Sequence, residues 1–397
     1  MSQIALNGLT ADARRHTGSI VRKLTDVEYE LLDLPLNLAD AHARQRTFLE
    51  QTEFGRPDLE QLFDQSLVVS QRLLDEQSFM DFHRLANQVS AYRSPLFLCC
   101  YSSSTALEII ANFLRVRKIE LTLIEPTFDN LADIFRRHLG RVSPLRTSIP
   151  NGLEPAVLDW LDQIDLRPGL SRALCLVVPN NPSGDVITPE GWSLIVEKCA
   201  AKQVLLVLDA SFRLFDEAVC FDMYEALMES GVSFLAVEDS GKIWPTGDLK
   251  VAFLNSSRDI YHAISSIQSD FLLNVPPLTQ LLLRWCCGRG VHFIRRGIAR
   301  NRHFLRTTME EADVGLSVAS MSSRSSVEFI RLPPAVNSVS FAQDLALTEG
   351  ISVLPGVQFY WSTPDPSEGL STFRVALARD ASVFERGWRG ILEHLTT

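Results

Sequence analysis

Lysine is scarce in this 397-residue chain: there are six, at positions 23, 118, 198, 202, 242 and 250. No apolar run approaches the length that spans a bilayer, and the N-terminus has no basic region followed by an apolar stretch. The expectation is a cytoplasmic protein, neither exported nor inserted in a membrane. The seven cysteines (99, 100, 175, 199, 220, 286 and 287) are odd in number, sit mostly in apolar runs and show no CxxC spacing. That argues against a disulfide framework and predicts reduced, buried thiols. No metal-ligand cluster appears among them and the eight histidines, and no GxGxxG supports a nicotinamide site. Internal repeats and low-complexity segments are missing too. A formal charge of −10 argues against nonspecific nucleic-acid binding and favours a cationic substrate.

What is present is the composition of a soluble globular protein, 46% hydrophobic and 22% charged, with enough chain for two intimately packed domains. Strand-like segments fall near 95–100, 119–124, 172–178, 204–209, 233–237 and 250–254, with helical patterns between most of them. This alternation predicts an α/β fold: a mainly parallel sheet with helices on both faces and its site at the carboxyl ends of the strands. Three regions are expected: an N-terminal arm over 1–50, a large domain over 51–285 and a small α+β domain over 286–397. The small domain should carry strands near 325–332 and 371–377 and a final helix after Ala381. The basic stretch from Arg295 to Arg306 reads as the solvated face of a long connecting helix.

Three fragments carry chemistry in a fixed order: PNNPSG at 179–184, LVLDASFRLFD at 206–216 and EDSGKIWPTGDLK at 238–250. Together they read as a site for pyridoxal phosphate. An aldehyde cofactor needs an amine, which only lysine supplies from a side chain, and Lys242 is the candidate. A pyridine ring acting as electron sink needs a fixed carboxylate at its nitrogen, and Asp209 ends the apolar run VLLVLD. Asn181 can donate an amide N–H to the ring's phenolic oxygen, although an ordinary turn residue before proline would look the same. Ser102, Ser103 and Ser104 stand where the strand PLFLCC runs into a helix, and free N–H groups at such a terminus favour an anion. A simple cap would need one serine. Ser211 and the cationic Lys250 complete a phosphate set.

These fragments, in this order, resemble the fold type I aminotransferases over nearly the whole chain. The resemblance implies a seven-stranded large-domain sheet and a homodimer with its sites at the interface. It implies Lys242 as the Schiff-base lysine, Asp209 as the pyridinium partner, Asn181 as the ring-oxygen donor and Phe128 as the stacking aromatic. Ser103, Ser104, Ser211 and Lys250 would surround the phosphate. Arg374, in STFRVALARD, matches the arginine that grips a substrate α-carboxylate bidentately; a surface arginine on an edge strand is the alternative reading. Two positions depart from the pattern. Phe212 stands where a tyrosine commonly donates to the ring, and Lys250 replaces the commoner arginine.

A narrower resemblance rests on LTDVEYELLDLPLNLADAHARQ at 24–45, CYSSS, EPTFDNLADIFR, SGKIWPT, IQSDFLLNVPPL and SRSSVE. The chain is similar to the oxygen-using, pyridoxal-phosphate-dependent L-arginine oxidases and hydroxylases of natural-product biosynthesis, a group that includes an arginine 4,5-dehydrogenase. That likeness implies dioxygen as co-substrate and places Glu28 and Asp239 at the guanidinium, with Thr25 close by. It makes His42 the residue separating such an enzyme from a transaminase, since imidazole moves protons near neutral pH. The activity it implies is oxidation of L-arginine to 4-hydroxy-2-oxoarginine, with 2-oxoarginine, ammonia and reduced oxygen. The 4,5-dehydrogenase reaction and ordinary transamination stay open.

Overall fold

The computed structural model describes residues 23–43, 55–93, 96–147, 152–246, 248–363 and 367–396. Seven strands form the main sheet: β2 (Phe97–Cys100), β3 (Glu120–Glu125), β4 (Ser143–Arg146), β5 (Arg172–Val177), β6 (Val204–Asp209), β7 (Phe234–Asp239) and β8 (Ala252–Ser256). Their spatial order is β2-β8-β7-β6-β5-β3-β4, and only β8 runs against its neighbours. β6 and β7 are buried at every position. A strand covered on both faces is mostly apolar, which is why VLLVLD and FLAVED show no alternation before their terminal acids. The expected mainly parallel α/β sheet is therefore observed. Sequence reading misses β4, because its SPLR is an edge strand with one buried residue and no apolar run.

The long helices pack on this sheet through apolar stripes. The helix Ser103–Arg117 buries seven residues from Ala106 to Leu114 and stops where Lys118 turns left-handed. The expected boundary at 285–286 falls inside the helix Pro277–Arg289. That helix is tied to the helix Gln71–Leu85 by Gln280 donating to Asp75 (2.7 Å) and Arg284 donating to Asp81 (2.8 Å). The chain instead breaks at Gly290, where φ is +74°.

Beyond it, the helix His292–Ala312 leads to a second sheet of β9 (Ser317–Val318), β10 (Val327–Arg331), β12 (Leu354–Pro355) and β13 (Thr372–Ala376). The order is β12-β13-β10-β9, which makes β13 internal. The basic stretch is not only a solvated face. Arg295 donates to the Leu214 carbonyl (2.8 Å), and Arg302 and Arg306 converge on the buried Glu328 at 2.6 and 3.0 Å.

Of the arm, residues 23–43 are described. The helix Leu24–Leu31 buries Leu24, Val27 and Leu31 in a cluster with Phe329, Leu354 and Phe359. β1 (Leu36–Asn37) then pairs in parallel with β11 (Ile351–Ser352). The arm is thus built onto the second sheet. Among the described residues no helix is long and apolar enough to cross a membrane, and no cluster of His, Cys, Asp or Glu could hold a metal.

Candidate active site

Five loops that leave the carboxyl ends of parallel strands carry the candidate residues. Ser102–Ser104 follow β2, Phe128 follows β3, Asn181 follows β5, Asp209 and Ser211 stand at and after β6, and Asp239 and Lys242 at and after β7. Lys250 precedes β8, but β8 is reversed, so its start pairs beside Asp239 at the same end. One cleft is lined by all of these, together with Glu28, His42 and Arg374. Thr25 has its side chain outside the described residues.

Asp209 is the buried floor of this cleft. Its Oδ1 accepts from the Ser211 hydroxyl (2.5 Å) and backbone N–H (3.0 Å); among the described residues its Oδ2 accepts nothing. Burial raises its pKa above the usual carboxylate value, against the lowering effect of the Ser211 bonds. A cationic N–H would relieve that burial. Asn181 is also buried, and its Oδ1 accepts from Arg374 Nη1 (3.0 Å). The amide nitrogen is thereby left as the donor toward the cleft.

The serine turn is a helix N-terminus, as expected. Ser102 caps it by accepting from Thr105 N–H (3.3 Å), and Asn130 reaches Ser104 Oγ (3.5 Å). Two of the expected residues also bond within the protein. The hydroxyl of Ser211 donates to Asp209. Asp239, expected at a guanidinium, accepts from Ser103 N–H (2.8 Å) with one oxygen and Gly241 N–H (2.7 Å) with the other. It ties the anion-binding turn to the lysine loop. Gly241 leaves room for Lys250 there, since a Cβ would lie 2.4 Å from Lys250 Cδ and force that side chain to shift. Phe212 is buried against Phe215.

His42 reaches the lysine. Its Nε2 is 3.1 Å from Lys242 Nζ, and its Nδ1 is 2.5 Å from Asp40 Oδ1. The carboxylate can only accept, so Nδ1 carries the proton and the Nε2 lone pair faces Lys242. Burial and the neighbouring ammonium lower the His42 pKa, so its neutral form is favoured. Asp40 itself is raised by burial but lowered further by His42 and Arg379, which leaves it ionised. Arg379 donates to the backbone carbonyls of Asn37 (2.6 Å), His42 (2.7 Å) and Asp40. Sequence reading misses both Asp40 and Arg379, although each lies inside a quoted fragment, ADAHARQ and VALARD.

Arg374 is fully buried on the internal strand β13, which excludes the edge-strand reading. Besides Asn181, it donates through Nη2 to Glu28 Oε1 (2.6 Å) and to the Ala39 carbonyl. Phe359 lies under the guanidinium, 5.5 Å from centroid to Cζ, and its ring is 6.2 Å from Phe128.

A sheet of this order with a lysine, an aspartate and an anion-binding helix end at its carboxyl edge defines a fold type I pyridoxal-phosphate enzyme. The chain belongs to the class I and II aminotransferase family, whose model matches residues 74–387. Its cofactor is pyridoxal phosphate, and the residues present fit that group: Lys242, the buried Asp209, the amide of Asn181 and the serine turn all line the cleft and could hold it. The structure of MppP soaked with the product 2-ketoarginine is similar at 30% identity and a TM-score of 0.79, covering 91% of this chain and 100% of that one. LysN, the α-aminoadipate aminotransferase of Thermus thermophilus, shares the fold at 17% identity, a TM-score of 0.71 and 98% coverage of each chain. Capreomycidine synthase of Streptomyces vinaceus is 22% identical over 346 residues, which is 83% of this chain and 84% of that protein.

Proposed function

We propose that this enzyme is a dioxygen-dependent oxidase of L-arginine that yields 4-hydroxy-2-oxoarginine, with 2-oxoarginine, ammonia and reduced oxygen. The carrying observation is His42 Nε2 at 3.1 Å from Lys242 Nζ, backed by Asp40. A transaminase needs one base, the lysine. Oxidation at a side-chain carbon needs a second proton acceptor beside the first, and His42 stands in that place with a lone pair. The similarity to MppP, whose structure was solved with 2-ketoarginine, supports the substrate class.

Bound pyridoxal phosphate supplies an electron sink conjugated to the substrate's α-carbon. Lys242 takes the proton from that carbon, and Asp209 holds a positive charge on the ring nitrogen. Asn181 donates to the ring oxygen and Phe128 covers a ring face. The N-terminus of the helix Ser103–Arg117 and Lys250 neutralise the phosphate. Arg374 orients the α-carboxylate, and Glu28 is the carboxylate for the guanidinium. Asp239 contributes by holding the serine turn. His42 then takes a proton from the side-chain carbons or from the water that provides the new hydroxyl. Pairing of two copies at the cleft belongs to the same proposal.

The test is product analysis by mass spectrometry, from arginine in air with no 2-oxo acid present. Hydroxylated oxo acid should form in air and stop under anaerobiosis. Turnover that requires a 2-oxo acid and ignores oxygen would return the enzyme to transamination, and 4,5-didehydroarginine as product would place it with the dehydrogenases.

A further inference from the structure

Glu28 and Arg374 are the residues assigned to opposite ends of arginine, yet they are bonded to each other at 2.6 Å. While they are, they cannot hold a carboxylate at one end of the substrate and a guanidinium at the other. The other hydrogen bonds of Arg374 go to neutral oxygens. Nη1 is spent on Asn181, Nη2 is shared between Glu28 and the Ala39 carbonyl, and Nε is buried with no hydrogen-bond partner among the described residues. Among the described residues Glu28 is therefore the one partner of this guanidinium that is itself a carboxylate, seated where the proposed function puts an incoming carboxylate.

The helix that carries Glu28 does not depend on that bond. Its first N–H, from Leu24, donates to Asp129 Oδ2 (2.8 Å), Lys23 pairs with Asp133 (3.1 Å), and Leu24, Val27 and Leu31 are buried against the second sheet. The Glu28 side chain can leave Arg374 by rotating its own torsions while the helix stays in place.

We propose that Glu28 is an internal stand-in for the substrate carboxylate and that substrate binds by exchange. The entering α-carboxylate takes Arg374 and releases Glu28, and the released carboxylate pairs with the substrate's own distal cation. This rests on the reading of Arg374 and Glu28 as the two end-contacts. It turns the pair into a specificity device. A molecule with only a carboxylate must strand Glu28 in a largely buried position without a partner, whereas one that also carries a guanidinium restores the lost ion pair. Discrimination against ordinary aliphatic amino acids then arises from what they leave unpaired, as expected for a buried charged group deprived of its partner.

Calorimetry on the holoenzyme tests this with two unreactive probes, hexanoate and 5-guanidinopentanoate, on wild type, Glu28→Ala and Glu28→Gln. Removing the internal competitor should tighten hexanoate binding by about tenfold or more, the worth of one charge-assisted hydrogen bond. 5-Guanidinopentanoate should gain nothing or weaken, so the preference between the probes collapses. Glu28→Gln keeps the shape and removes the charge, and should move both in the same direction. Hexanoate affinity that is unchanged or lower in both variants overturns the exchange. Equal wild-type affinity for the two probes would instead overturn the arginine reading, because the hexanoate ratio between wild type and variant does not depend on it.

Discussion

His42 Nε2 lies 3.1 Å from Lys242 Nζ although the two residues are 200 positions apart. The contact is made by the arm, whose Ala43 N–H also donates to the Lys242 carbonyl (3.0 Å). A residue outside the main sheet is thus held against the lysine that the sheet presents. If that imidazole handles the later proton transfers, His42→Ala should still release 2-oxoarginine. The ratio of hydroxylated to plain oxo acid should fall by roughly 100-fold, the usual worth of a positioned acid or base. Asp40→Asn should lower the ratio less, by misorienting the ring. An unchanged ratio in both variants would leave His42 as packing.

Lys242 is the amine assigned to the cofactor aldehyde. Borohydride treatment of the holoenzyme should fix the cofactor on the peptide that contains Lys242, and Lys242→Ala should carry no such adduct. A borohydride-stable adduct on Lys250 in that variant would move the assignment.

Gly184 sits at φ +72° in the turn after β5, and a Cβ there would lie 2.2 Å from Ser323 Oγ. Gly152 has φ +80° and open space. Gly152, with ψ 173°, lies in a backbone region kept almost wholly to glycine, so Gly152→Ala should cost about 1–3 kcal/mol from backbone strain alone. Gly184→Ala should cost more, because Ser323 and the 319–326 segment must move. Equal urea midpoints for the two variants would mean that Ser323 yields freely.

Burial of His83 pushes its pKa down to about 3, further lowered by Arg213 and opposed by its bond to the Phe79 carbonyl (2.9 Å). That carbonyl can only accept, so Nδ1 carries the proton and Nε2 accepts from Asn255 (3.2 Å). The folded pKa is depressed below the unfolded value of 6.5. The resulting stability is present above pH 6.5 and is lost as pH falls toward 3, at up to about 1.4 kcal/mol per pH unit. Asp129 works the other way: burial raises its pKa to about 6, so its contribution is lost as pH rises through that value. The comparison that isolates His83 is urea unfolding of wild type and His83→Gln at pH 7, 6 and 5. The variant should lose less stability on acidification, and parallel curves would count against a neutral buried imidazole.

The main sheet was legible in the chain because a strand covered on both faces admits almost only apolar residues, and VLLVLD and FLAVED satisfy that up to the one acid that ends the first and the two that end the second. The order of functional residues followed, since an α/β sheet places its loops at one edge whatever their partners. What the chain could not show is which polar groups spend their capacity on each other. Asp239 and Ser103 are 136 positions apart, and Arg374 and Glu28 are 346 apart; their bonds exist only once the strands have been brought side by side. Asp40 looks like any acid two residues before a histidine until Arg379 gathers the carbonyls of that turn and fixes the carboxylate on the ring. Residue types determined what chemistry was available at the edge of the sheet. Tertiary packing decided which of those groups face the cleft with a donor, acceptor or charge still to offer, because burial obliges each polar atom to find a partner and only the folded chain decides which one is near.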